Sequence, residues 1–310
     1  MKIIRDHGGG IDVAVTQFGG IRQDWLDLST GINPVPYPIP PIAPDAWNAL
    51  PDKSATDELE TVARRFWGVP DGAATLAAPG ASSVIARIPY LVETGNVRVE
   101  SRTYNEHEAA FRIAGWQLSD DKPDARVIVS PNNPTGKYWA GNDRAPFLII
   151  DESFCDLDPN QSHIKLAVNS GTIFLKSFGK FWGLAGLRLG FAIGDPELIS
   201  ALKEALGPWP VSGPALSIGT AALADDSWAN KTRTRLKNDA ARLDSVMQNA
   251  GAAIHGGTDL FRLYKVDDAA AWQTHLAKHH IWSRIFPYST KWLRLGLPAP
   301  DRWEQLESAL

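Results

Sequence analysis

Four groups of residues in this chain could do chemistry together. Ser130-Pro131-Asn132-Asn133-Pro134-Thr135-Gly136 follows the apolar run RVIV and offers a side-chain amide in a tight turn. Asp151, followed by Glu152 and Ser153, closes the run FLII. A carboxylate there is costly unless it meets a cation or hydrogen-bond donors. Lys180, in Ser177-Phe178-Gly179-Lys180, follows TIFLK and supplies an amine nucleophile. Arg188 stands eight residues further on, in a glycine-rich stretch from Gly183 to Gly190, and carries a planar fork suited to phosphate. Each has an ordinary reading too: Asn-Pro-Thr-Gly is good turn chemistry, and most lysines are solvated surface groups. Their conjunction matches the needs of one cofactor, pyridoxal phosphate. It requires a lysine for its Schiff base, a carboxylate facing its ring nitrogen, a donor near its phenolic oxygen and a pocket for its phosphate.

The elements that must position these residues are legible as alternating patterns. Short apolar runs at 74–78, 96–100, 126–130, 147–151, 172–176 and 190–194 predict strands, and FLII is apolar throughout, as in a strand covered on both faces. Helices are predicted at 82–93, 106–114 and 196–206, and another from Thr56, where Leu59, Val62, Ala63 and Phe66 share one face. Strands separated by helices imply an α/β fold with a mostly parallel sheet and ligands at the strands' carboxyl ends. Beyond a Gly- and Pro-rich stretch at 207–217, the pattern predicts a long helix over 219–250, a strand over 252–266, a helix over 269–280 and a strand over 291–297. The proline-rich stretch from Pro34 to Pro44 reads as an extended arm, because proline fixes φ and lacks a donor. The expected organisation is an N-terminal arm and part of a small domain over 1–44, a large domain over 45–215, and a small α+β domain completed by 216–310.

Composition narrows the partners. Charged residues are 21% of the 310 and the net charge is −4, so there is no basic footprint for nucleic acid or a membrane surface. No apolar run approaches the roughly 20 residues of a membrane span. The opening MKIIRDHGGG lacks a signal-peptide core, and the single cysteine, Cys155, suits a reducing compartment; a cytoplasmic enzyme is expected. No metal-ligand pattern is present. A nicotinamide-binding fold is rejected, since no G-x-G-x-x-G follows a predicted strand.

The order Asn-Pro-x-Gly, Asp-Glu, Ser-x-x-Lys and then Arg resembles fold-type I pyridoxal-phosphate enzymes, the aspartate-aminotransferase superfamily, over nearly the whole chain. That resemblance implies that Lys180 forms the Schiff base, Asp151 pairs with the ring nitrogen and Asn133 bonds the phenolic oxygen. Ser177 and Arg188 would bind the phosphate, together with the turn Pro79-Gly80-Ala81-Ser82 before a predicted helix. Tyr104 resembles the aromatic that stacks on the ring. Two positions depart from the pattern. Phe154 replaces the usual tyrosine three residues after the aspartate, which removes a donor to the phenolic oxygen and should raise the Schiff-base pKa. Leu50-Pro51 stands where many relatives have Tyr-Pro, whose tyrosine reaches the partner subunit's cofactor. Superfamily members build their sites at a two-fold interface, so a homodimer is expected.

Which bond breaks depends on substrate orientation, and these residues alone leave decarboxylation and transamination both open. His7-Gly8-Gly9-Gly10, followed by Trp25-Leu26-Asp27-Leu28-Ser29-Thr30-Gly31-Ile32-Asn33-Pro34, is similar to threonine-phosphate decarboxylases of cobalamin biosynthesis. Those enzymes convert L-threonine O-3-phosphate to (R)-1-amino-2-propanol O-2-phosphate and CO₂. The similarity implies a phosphorylated amino-acid substrate. Arg284 and Arg294 would grip its two anionic groups, with Asn133 also facing the substrate and His7 and Gly31 as further contacts. Freed Lys180 is then the acid that returns a proton to the α carbon. The alternatives are a histidinol-phosphate-type aminotransferase and, in another class, a non-catalytic sensor or scaffold that binds the cofactor.

Overall fold

The computed structural model describes residues 5–310, so the first four residues of the expected N-terminal arm lie outside the described residues. In chain order, α1 (Ile11–Phe18) and β1 (Leu26–Asp27) come first. Next come α2 (Asp45–Asn48), α3 (Lys53–Trp67), β2 (Ala74–Ala78), α4 (Ala81–Ile85), β3 (Asn96–Val99), α5 (Asn105–Ile113), β4 (Gln117–Leu118), β5 (Ala125–Val129), β6 (Phe147–Asp151), β7 (Thr172–Ser177), β8 (Gly190–Gly194), α6 (Pro196–Leu206) and α7 (Gly213–Leu223). The chain ends with α8 (Asp226–Asn249), β9 (Ala253–Thr258), β10 (Phe261–Lys265), α9 (Ala269–Lys278), β11 (Ile281–Trp282), β12 (Arg284–Phe286), β13 (Ser289–Gly296) and α10 (Trp303–Glu307).

These elements form two compact units. The larger, Tyr37–Asn133 with Tyr138–Asn230, contains a seven-stranded sheet in the order β2-β8-β7-β6-β5-β3-β4. All its pairings are parallel except those of β8, which runs against both β2 and β7. The α/β, mostly parallel expectation therefore describes this unit. Reversal of β8 has a direct consequence for the site. Gly190 pairs with both Ala78 and Ser177, so the residues just before Gly190 meet the carboxyl ends of β2 and β7 at one edge. Every residue of β6 is buried, and Ile149, Ile173, Leu175 and Val127 join one core with helices on its flank. Each such side chain contributes about 1.5–3 kcal/mol on leaving water.

Among the described residues, the smaller unit takes those up to Pro36, Pro134–Lys137 and Lys231–Leu310. It holds an antiparallel four-stranded sheet, β12-β13-β10-β9, and the parallel pair β1-β11. Ile11, Ala14, Trp25 and Ala277 form a buried cluster there.

Several elements differ from the sequence expectation, each for a local reason. The helix expected over 82–93 is a single turn, α4, followed by a 3-10 turn at Ile88–Tyr90, because Pro89 cannot continue an α-helical ladder. The helix expected over 219–250 is two helices. Ser212 caps α7 through its side chain, and the Asp225 carboxylate accepts the Trp228 N–H to start a new helix. The strand expected over 252–266 is a hairpin turning at Asp259–Leu260, where Thr258 Oγ1 accepts the Leu260 N–H. The Gly/Pro stretch at 207–217 is not where the compact units change. Pro214 opens α7, and Gly219 lets that helix lie against Leu59 and Leu189, so the larger unit continues to Asn230 rather than ending at 215.

Candidate active site

At the carboxyl edge of the larger sheet lies a cavity with a few convergent polar groups, the usual form of a small-molecule site. Asn133, Asp151, Ser177, Lys180 and Arg188 all line it, and they arrive from the ends of three strands and the loop between β7 and β8. Asn133 follows β5, Asp151 ends β6, Ser177 ends β7, Lys180 lies three residues beyond, and Arg188 precedes β8. Ala81, Ser82 and Tyr104 also line it. Gly80 does not, but a Cβ on it would stand 2.6 Å from Arg188 Nη2. With φ at 81°, that residue accommodates glycine for backbone and for space alike.

Asp151 is 3% exposed and its Oδ2 lies 2.8 Å from His107 Nε2. Its Oδ1 accepts the Ser153 N–H at 2.9 Å. Burial alone pushes the carboxyl up, but the hydrogen bonds from His107 and Ser153 outweigh it and hold the group below the ordinary carboxylate range. His107 was not among the sequence-based candidates. Its signal was a histidine four residues before Phe111, on the face of α5 that is buried. Helical spacing turns Tyr104 and His107 to the same side, and their rings meet edge-on at 6.1 Å. Burial, with Glu106 and Asp151 nearby, raises the Tyr104 phenol, so it stays a neutral ring and donor.

Lys180 is half-buried, with Nζ 5.3 Å from the centre of the Phe154 ring. The residue that departs from the superfamily pattern is thus an apolar wall beside the amine. Arg188 adopts a left-handed backbone (φ 52°) and anchors Nη1 on the Ala185 carbonyl at 3.0 Å, leaving Nη2 by Gly80. Gly190 admits the Gly80–Ala81 peptide, since a Cβ there would stand 2.5 Å from the Ala81 nitrogen. Because α4 is only five residues long, its N-terminus offers peptide N–H groups rather than the dipole of a long helix.

The remaining candidates belong to the smaller unit. Arg284 and Arg294 are direct cross-strand partners on β12 and β13, an arrangement that repels unless anions intervene. Arg294 is 5% exposed, donates to the Ser29 carbonyl and lies over the Phe261 ring at 5.3 Å. Arg284 bonds Asp6 Oδ1 at 2.8 Å and the His7 carbonyl. Burial lowers both guanidinium pKa values; the Arg294 value is lowered further by Arg284, while Asp6 partly restores that of Arg284. His7 itself is exposed, and Gly31 is buried next to the Thr30 carbonyl that abuts Gly296. Among the described residues, no helix is long and apolar enough to cross a membrane, and no cluster of ligating side chains could hold a metal.

The profile of the family "aminotransferase class I and II" matches residues 117–310. A threonine-phosphate decarboxylase from a Sinorhizobium species is 38% identical over 95% of this chain and 93% of its own length. Another threonine-phosphate decarboxylase, from Pseudomonas aeruginosa, is 36% identical over 98% and 97%. Among solved structures, a histidinol-phosphate aminotransferase from Sinorhizobium meliloti in complex with pyridoxal-5'-phosphate superposes with a TM-score of 0.80 at 18% identity, covering 97% of this chain and 93% of that one.

Proposed function

The chain belongs to the class I and II aminotransferase family, and we propose that it is a pyridoxal-phosphate-dependent lyase acting on L-threonine O-3-phosphate. The products are (R)-1-amino-2-propanol O-2-phosphate and CO₂, the former serving cobalamin biosynthesis. The observation that carries this reading is 38% and 36% identity, along nearly the whole chain, to two threonine-phosphate decarboxylases.

The residues around the cavity fit the cofactor: an amine, a buried carboxylate, an amide and a guanidinium share one space, and Gly80 leaves room for Arg188. When bound, pyridoxal phosphate supplies a protonated ring that accepts the electron pair left by the departing carboxylate. Asp151, kept ionised by His107 and Ser153, holds the proton on the ring nitrogen. Asn133 would hold the phenolic oxygen through its amide, and Tyr104 would pack against the ring. Arg188, Ser177 and the peptide N–H groups of Ala81 and Ser82, opened by Gly80, take the phosphate. Lys180 anchors the cofactor, then holds a proton at Nζ and returns it to the substrate's α carbon. Arg284 and Arg294 bind the substrate's carboxylate and phosphate, with Asn133, His7 and Gly31 as further substrate contacts; the anions relieve the repulsion of that cross-strand pair.

A cytoplasmic homodimer is part of the proposal. Ile39, Trp47 and Leu50 are 63%, 67% and 65% exposed within one short stretch of the larger unit, apolar side chains that a partner subunit would cover. Incubation with pyridoxal phosphate and O-phospho-L-threonine tests the activity. CO₂ release with no amino acceptor supports the lyase. Keto-acid formation that depends on an acceptor makes the chain a phosphate-substrate aminotransferase instead, and cofactor binding without turnover of any amino-acid phosphate makes it a sensor or scaffold.

A further inference from the structure

The turn that carries Lys180 rests on a buried aromatic and ionic assembly with no place in the site described above. Gly183 N–H closes the turn on the Lys180 carbonyl at 3.1 Å, and Leu184 N–H reaches the Phe178 carbonyl at 3.1 Å. Within it, Trp182 is fully buried and lies between Phe178 and Trp228, with ring centres 5.2 and 5.3 Å away and planes 13° from parallel in both pairs. Its carbonyl accepts the Tyr37 N–H at 2.9 Å, and its indole N–H donates to Asp156 Oδ2 at 3.2 Å. The other Asp156 oxygen accepts the Trp67 indole N–H at 2.8 Å. Lys176 Nζ lies 3.8 Å from Asp156 and 2.7 Å from Glu152, and all three are buried. Glu152 in turn accepts the Ser162 hydroxyl and the His163 N–H.

Position in the strands explains why this assembly bears on the site. Glu152 directly follows Asp151 after β6, and Lys176 directly precedes Ser177 on β7. Successive side chains of a strand point to opposite faces, so the pair sits behind the residues that line the cavity. A buried ion pair adds little stability over apolar residues of the same shape. What it contributes here is a fixed acceptor for the Trp182 indole. A lysine amine on its flexible four-carbon stem is placed only as well as the turn beneath it. We infer that Trp182 is a positioning residue for Lys180: the Asp156–Lys176–Glu152 cluster fixes the indole, and the indole fixes the turn that presents the amine.

This inference rests on the reading of Lys180 as the cofactor lysine, and the test separates the two. Trp182→Phe keeps a ring in the stack but removes the N–H to Asp156. Trp67→Phe removes the other N–H from the same carboxylate, at a residue of α3 rather than of the turn. Both variants should melt a few degrees lower. In protein without cofactor, only Trp182→Phe should speed amide hydrogen exchange over residues 178–184. With cofactor, only Trp182→Phe should lower kcat, on the order of tenfold at unchanged KM, and move the pH midpoint of the visible absorption band. Equal exchange in the two variants, whether raised or not, overturns the positioning role. If Trp182→Phe does not fold, Asp156→Asn is compared with Trp67→Phe by the same exchange measurement and the same criterion. A wild-type chain that takes up no pyridoxal phosphate overturns the cofactor reading, while the exchange comparison still decides the positioning.

Discussion

Asp151 is a carboxylate kept charged in a place that disfavours charge, and its pH response follows from that. Its folded pKa lies below the ordinary range, so its contribution to stability is complete above the unfolded pKa. That contribution is lost as pH falls below about 4 and through the lowered folded value. Urea unfolding of wild type and Asp151→Asn should therefore show a stability gap that is widest near neutrality and shrinks in acid; a gap constant with pH contradicts this. Phe154 makes a second prediction. Phe154→Tyr restores a donor to the phenolic oxygen, so the pH midpoint of the bound cofactor's absorption should fall, and a rise would contradict the assignment. Asp151 was readable in the sequence because it ends an unbroken apolar run, where a charge has few ordinary reasons to be, and Lys180 only through its ordered company of Asn133, Asp151, Ser177 and Arg188. His107 was not, because one histidine on a half-apolar helix looks the same whether it meets a carboxylate or only packs. Lys176 was hidden likewise, as the last residue of a run whose burial alone reveals its partners.

At the scale of elements, the site depends on β8 running against its neighbours with glycine at its first position. A Cβ on Gly190 would meet the Ala81 nitrogen at 2.5 Å, the Gly80 carbonyl carbon at 2.8 Å and the Lys176 oxygen at 3.1 Å, all backbone atoms that cannot swing away. Gly190→Ala should cost about 1–3 kcal/mol in thermal or urea unfolding and weaken cofactor uptake by spreading β2 from β7. Unchanged stability would show that the Gly80 turn is softer than its contacts imply. The strands at 74–78, 147–151 and 190–194 were legible to the residue, because apolar runs bounded by turn residues leave one reading. Helix breaks were less so. The start of α8 depends on whether Asp225 turns its carboxylate to the Trp228 N–H, a choice between cap and continued helix that residue type leaves open. The hairpin at Asp259–Leu260 was hidden because Phe261 continues the apolar pattern straight past the turn.

At the scale of the whole molecule, the account predicts a dimer and one reaction. Sedimentation should give twice the mass of the 33.8 kDa chain, and Trp47→Glu should shift it toward the single chain; a monomeric wild type contradicts the interface. The reaction class was the least legible feature. A family shared by aminotransferases and decarboxylases keeps the same cofactor residues, and the outcome turns on how the substrate's carboxylate is aimed. Only the opening His7-Gly8-Gly9 and the Trp25–Pro34 stretch pointed to one branch, and the pair Arg284 and Arg294 says two anions without saying which bond breaks. The most direct measurement is mass analysis of the product from O-phospho-L-threonine and pyridoxal phosphate in D₂O with no amino acceptor. The account predicts aminopropanol phosphate with one deuterium on the carbon that lost CO₂, and none of this product from Lys180→Ala. A 2-oxo acid formed only when an amino acceptor is added, with no CO₂, would contradict it.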